Sequence, residues 1–109
     1  MVSIESFSAL DIRVGRIISV EDHEKARKPM FRLCVDFGPE IGVRTIVAGI
    51  SDVYGKEDII NKKFVFVTNL DPKSIAGVES QGMLLAAGEG SNIALLTLNK
   101  DVEEGAKIH

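Results

Sequence analysis

Apolar and polar residues alternate with period two along the first part of the chain. Ile12, Val14, Ile18 and Val20 share one parity, while Arg13, Gly15 and Ser19 take the other. That pattern predicts a half-buried strand over Ile12 to Val20, with Arg16 as the one violation. Gly15 inside it points to a bend or bulge, as a small curled barrel requires. Met30 to Phe37 alternates more cleanly: Phe31, Leu33, Val35 and Phe37 face one way, and Met30, Arg32, Cys34 and Asp36 the other. Gly38-Pro39 closes that strand. Val43 to Ile50 reads as a third strand, Phe64 to Thr68 as a fourth and Gly82 to Ala87 as a fifth. Gly88-Glu89-Gly90 is a turn, and Asn92 to Leu98 is a further apolar strand. Ser51 to Asn61 carries capping residues at Ser51 and Asp52, then a weak helical pattern through Val53, Ile59 and Ile60. Gly55 limits that helix to one or two turns. Lys100 to His109 is a polar tail with a short extended end near Ala106 to Ile108.

Short strands separated by turn signals, with one short helix after the third, predict an all-β domain over residues 1–109. The arrangement fits an OB-fold: a five-stranded Greek-key barrel, here with one short helix and added terminal strands. Such barrels bind through one sheet face and the loops joining strands 1–2 and 4–5. In this chain those connectors are Glu21 to Pro29 (EDHEKARKP) and Leu70 to Gln81. The second is longer than most hairpin connections, and long ordered loops tend to carry function.

Composition changes the picture in two respects. A chain of 109 residues that is 45% hydrophobic can bury a core without staples, and it is not disordered by composition. The one cysteine, Cys34, excludes an internal disulfide and a cysteine-based zinc cluster. The N-terminus has no basic region followed by an apolar one, and no apolar run reaches the ~20 residues that span a bilayer. The expectation is a soluble, cytoplasmic protein with no membrane insertion.

The net charge of −3 does not by itself favour a nucleic acid. Its distribution does. Seven of the 13 Lys and Arg fall between Arg13 and Arg44, and Lys25, Arg27, Lys28 and Arg32 lie in a stretch with no acid. They serve either as a solvated loop or as phosphate neutralisers. Four phosphate contacts to a single strand would give a salt slope of about −3.

Little supports catalysis. His23 lies in a polar loop and His109 is terminal, and neither has a cysteine partner or metal-ligand spacing. Cys34, mid-strand between Arg32 and Asp36, reads as an inert, part-buried thiol. No catalytic residue, cofactor or metal is expected. Asn69, Ser80, Gln81 and Met83 border the long connector. They read either as turn formers and core filler or as a rim that hydrogen-bonds and stacks an unpaired base. The same rim could grip extended peptide. With aromatics at 6% and no Trp, a stacking platform of the usual kind is not evident.

Asn69-Leu70, Pro72-Lys73, Ile75, the ungapped run Gly77-Val78-Glu79-Ser80-Gln81-Gly82-Met83 and Leu84-Leu85-Ala86-Ala87 resemble the signature of the EMAP II-like tRNA-binding domain. That domain occurs at the C-terminus of many methionyl-tRNA synthetases, in stand-alone tRNA-binding proteins and in CsaA-type export chaperones. The resemblance runs from Leu10-Asp11-Ile12-Arg13-Val14-Gly15 through Ile108. Asp36-Phe37-Gly38, Glu40-Ile41-Gly42 and KARKPMFRL look more like the CsaA-type branch. The resemblance implies an OB-fold, a homodimer built by the chain ends and the loops around the barrel, and tRNA as ligand; Phe7, in the N-terminal segment, is a candidate for a subunit contact. It also leaves open unfolded or pre-export polypeptides as ligands and docking on methionyl-tRNA synthetase. The implied RNA-binding face is Lys28, Arg32, Asn69, Lys73, Ser80, Gln81 and Met83. One departure stands out: Asp71 precedes Pro72, and Ser74 replaces the second of two basic residues the family commonly has there. This implies weaker tRNA binding than in the synthetase appendages.

Overall fold

The computed structural model describes the whole chain, Met1 to His109. Its spine is one long strand, β1 (Ile12–Asp22). The first half of β1 pairs with β4 (Lys63–Val67), from Ile12 opposite Val67 to Arg16 opposite Lys63. The second half pairs with β2 (Phe31–Asp36), which in turn pairs with β3 (Val43–Ala48). A two-residue strand, β7 (Met83–Leu84), adds to the far edge of β4, giving a five-stranded antiparallel sheet in the order β3-β2-β1-β4-β7. The sheet curls into a nearly closed barrel, the OB-type architecture expected. α3 (Lys56–Ile59) follows β3 and drives Ile59 into the interior, where it is fully buried. The helix starts after Gly55 rather than at Ser51, because the Asp58 carboxylate accepts the Gly55 N–H at 2.8 Å.

The register of β1 explains the Arg16 violation and corrects the expected facing. Pairing with β2 shifts between Ile17 and Ser19, so Ile18 is a bulge and the inward parity changes there. Gly15 and Ile17 point inward before the bulge, and Val20 packs on the core after it. Ile12 therefore does not line the barrel. With Val65 and Val67 it forms a second cluster beneath Leu85, Leu98 and Ile108. The polar tail holds that cover in place: Gly105 and Ile108 donate N–H to Val14 and Ile12 at 2.8 Å, and Val14 donates to Ala106 at 2.9 Å. Gly15 is not the bulge but a close approach. A Cβ there would sit 2.5 Å from Val35 Cγ1 and 2.7 Å from Phe37 Cε1.

The barrel interior is Ile17, Phe31, Leu33, Val35, Phe37, Ile46, Ile59, Phe64 and Phe66, with Phe31, Leu33, Val35 and Phe37 on the one face that the alternation of β2 predicted. Phe37 and Phe66 meet edge to face with centroids 5.3 Å apart. The connector expected as a loop folds further than the pattern suggested. β5 (Lys73–Ile75) and β6 (Val78–Ser80) form a hairpin with Ala76-Gly77 as its two-residue turn, both at positive φ. The expected fifth strand is split into β7 and β8 (Ala86–Ala87), and only Ala94–Leu95 (β9) of the expected sixth strand pairs, with β8. α1 (Ile4–Ser8) and the single turn α2 (Gly38–Ile41) were not foreseen. No helix is long and apolar enough to cross a membrane.

Candidate functional site

The loop after β1 and the β5–β6 hairpin meet at one mouth of the barrel, and a histidine joins them. His23 N–H donates to Met30 O at 2.9 Å and Ala26 N–H to His23 O at 3.1 Å, cinching the loop at its base. The His23 side chain turns inward, and Nε2 lies 2.7 Å from Ile75 O on the hairpin. A carbonyl only accepts, so Nε2 carries the proton. His23 is 8% exposed, not the polar-loop residue the sequence suggested. Nothing in its neighbours Asp22 and Glu24 signals burial; only the hairpin, brought from more than fifty residues away, covers it.

Two grooves flank this junction. One, of about 390 Å³, is lined by Lys25, Ala26, Arg27, Lys28, Met30, Ile75 and Ala76. Lys73 stands two residues before Ile75, on the same face of β5 by strand alternation. None of Lys25, Arg27, Lys28 and Lys73 is in an ion pair, whereas Arg13, Arg16, Arg32, Lys56 and Lys63 all are. The other groove, of about 490 Å³, contains Glu21, Asp22 and Glu24 beside Lys25, Arg32 and Lys56. There Arg32 is hydrogen-bonded to Glu21, and Lys56 Nζ lies 3.2 Å from Asp22. Arg32 thus borders the mouth with its charge compensated. The basic run in the sequence hid this, because the compensating acids come from β1.

The remaining expected residues divide among other tasks. Ser80 is buried; its hydroxyl accepts the Val47 N–H at 3.0 Å and donates to Gly82 O at 3.2 Å. Gln81 Oε1 accepts the Thr45 N–H at 2.9 Å, while Gln81 N–H donates to Thr45 O at 2.8 Å. These bonds close the barrel between β3 and the segment leading to β7, with Arg44 bridging Thr68 O and Gln81 O. Gln81 also borders the outer sheet face beside Ser19, Arg32, Cys34 and Thr45. Asn69 sits at the other end of β1. Its Oδ1 accepts the Asp11 N–H and its Nδ2 donates to Ala9 O, both at 2.7 Å. Met83, half exposed, lies opposite Val67 at that same end. Lys28 thus lines the groove at the hairpin and Arg32 the acidic groove on its other side, Lys73 is exposed on β5, Ser80 and Gln81 lie in the seam with β3, and Asn69 and Met83 border neither groove.

Away from the mouth, charge pairs fix the tail and the start of β1. Arg13 forks between Asp11 (Nε to Oδ1, 2.8 Å) and Glu40 (3.2 Å), and its Nη1 donates to Gly105 O. Hydrogen bonds from Arg13 hold the carboxyls of Asp11 and Glu40 below their ordinary range, and those same acids raise Arg13. Lys63 reaches Asp101 and Glu104, each at 2.8 Å, which raises Lys63 and lowers Glu104.

Residues 12–107 match the family described as "Putative tRNA binding domain", and the chain belongs to that family. It is 51% identical over 107 residues to a region of the methionine–tRNA ligase of Pyrococcus horikoshii, and spans 14% of that ligase's length. In structure it is similar to the CsaA chaperone protein from Picrophilus torridus: TM-score 0.93, 40% identity, 100% of each chain covered. It is likewise similar to the MetRS-related protein from Pyrococcus horikoshii, with TM-score 0.89, 36% identity, and 100% of this chain and 98% of that one covered.

Proposed function

We propose that this protein is a non-catalytic, cytoplasmic tRNA-binding module whose contact surface is the mouth formed by the loop after β1 and the β5–β6 hairpin. One observation carries the reading: Lys25, Arg27 and Lys28 line the groove against the hairpin, Lys73 is exposed on that hairpin's β5 strand, and none of the four has a carboxylate partner. Unpaired cations on a locally rigid mouth suit phosphate, since no internal ion pair has to be broken first. Arg32 and Gln81 extend the contact along the outer sheet face. Ser80 shapes it from the seam, and Asn69 holds residues 9–11 at the distal end. Asp71 and Ser74, both exposed beside Lys73, limit the cationic charge, so affinity is moderate.

The distal end supports a different contact. α1 buries none of its residues, Val2, Ile4, Phe7, Leu10, Leu70 and Met83 are exposed, and the Asn69 bonds to Ala9 and Asp11 set Leu10 beside Leu70. Single exposed apolar residues are ordinary, but a cluster at one pole marks an interface. The reading is a homodimer joined through this pole, with the two mouths free.

A second reading is favoured by the likeness to CsaA chaperone structures: a module that binds unfolded or pre-export polypeptide. Docking on methionyl-tRNA synthetase is a third relation, consistent with the ligase homology. Labelled folded tRNA challenged with an unfolded protein separates the first two. Displacement only by unlabelled tRNA supports the RNA module; displacement by polypeptide at comparable concentration supports the chaperone. Co-purification of the synthetase tests the third.

A further inference from the structure

The hairpin divides the mouth into two grooves of opposite character, and only one combines an apolar floor with uncompensated charge. Met30, Ile75 and Ala26 are half-buried and form its floor, while Lys25, Arg27 and Lys28 are exposed on its rim. No carboxylate lines it. Its volume of about 390 Å³ is at the lower end of the ~300–1,000 Å³ usual for small-ligand sites. The bond from His23 to Ile75 O holds loop and hairpin together before any ligand arrives, so the walls need not be ordered on binding.

We infer that this groove takes one unpaired nucleotide of an RNA, with the base on Met30 and Ile75 and the flanking phosphates on Lys25, Arg27 and Lys28. The inference rests on the tRNA reading above and adds the form of RNA selected. A nucleotide presents an apolar π-face and an anion in one unit, which matches this floor and rim. A polypeptide meets both demands only if apolar and acidic residues alternate. A thioether and a branched aliphatic side chain offer a flat, polarisable contact for a base without any aromatic residue. A base inside a duplex cannot reach the floor; one in a loop or bulge can be splayed out into it.

The test compares a single-stranded RNA of ~12 nucleotides with a blunt duplex of the same sequence, using the full chain, its variants and folded tRNA as reference. Wild type is expected to bind the single strand ~10-fold or more tightly than the duplex at equal salt. Ile75→Ser and Met30→Gln are each expected to weaken single-strand binding ~5–20-fold, leaving duplex binding and the salt slope unchanged. Lys28→Ala is expected to weaken both and to reduce the single-strand slope by ~0.7. Matched thermal melts show that each variant is folded, and two independent floor variants guard against loss of one. If wild type binds folded tRNA but single strand and duplex equally, or if both floor variants bind within twofold of wild type, the nucleotide groove is wrong and the tRNA reading stands. If wild type binds none of the RNAs, the tRNA reading itself fails.

Discussion

The Ser80 hydroxyl accepts the backbone N–H of Val47 at 3.0 Å, taking the place a strand carbonyl would occupy in a ladder. Gln81 Oε1 does the same for Thr45 two residues earlier on β3. Where β3 and β7 do not pair, the barrel is thus closed by these two side chains together with the backbone bond from Gln81 N–H to Thr45 O. Ser80→Ala leaves the Val47 amide buried and unpaired, and should cost ~1–3 kcal/mol. Urea denaturation checks this; the expected result is a lower midpoint with an unchanged slope.

Gly15 faces Val35 and Phe37 with no space for a methyl group. Gly15→Ala forces β1 away from β2 or pushes Phe37 off its edge-to-face contact with Phe66, and should destabilise by ~1–3 kcal/mol. The expected outcome is a lower melting temperature by differential scanning calorimetry.

β2 was legible because it obeys strict alternation, with Phe31, Leu33, Val35 and Phe37 where the pattern put them, and β4 because Phe64 to Val67 is a continuous apolar run, buried on both faces. β1 was half legible, since period two cannot signal that a strand changes sheet face at a bulge. The β5–β6 hairpin was hidden because each strand is three residues long and its turn residues, Ala76-Gly77, lack the Asn-Gly or Asp-Gly signal. At the mouth, the meeting of the two connectors, seen in the His23 bond to Ile75 O, was legible from the connector logic of the fold. The compensation of Arg32 by Glu21, the burial of His23 and the engagement of Asn69 by Asp11 and Ala9 depend on long-range contacts, which local pattern does not encode.

The ion pairs holding the tail give stability a pH dependence of known sign. Asp11 is lowered from its ordinary 3.8, first by the hydrogen bond from Arg13, and Glu104 from 4.5, first by that from Lys63. A carboxyl whose folded pKa is depressed contributes stability that is complete above its unfolded value and is lost as pH falls through the folded one. Stability should therefore hold through neutral pH and decline below about pH 4. Asp11→Asn should be less stable at pH 7 and show a shallower decline in acid, as measured by urea midpoints across pH.

The pole proposed to join two copies carries Ile4 and Phe7 on α1 and Leu10 just after it, all exposed. If that pole joins two copies, Ile4→Asp with Phe7→Asp should halve the mass found by light scattering while leaving the far-ultraviolet circular dichroism unchanged. RNA affinity per mouth should change little, since neither residue borders the grooves.

The central claim is that the cations of two distant connectors act as one phosphate-binding surface. The direct test is a filter-binding titration of folded tRNA at 50 and 200 mM salt, for wild type and for Lys28→Glu with Lys73→Glu. Four contacts predict a slope of about −3, a ~50-fold loss of wild-type affinity between those salts, and near-complete loss of binding by the double variant. Salt-insensitive binding, or a double variant that binds as tightly as wild type, would contradict the account.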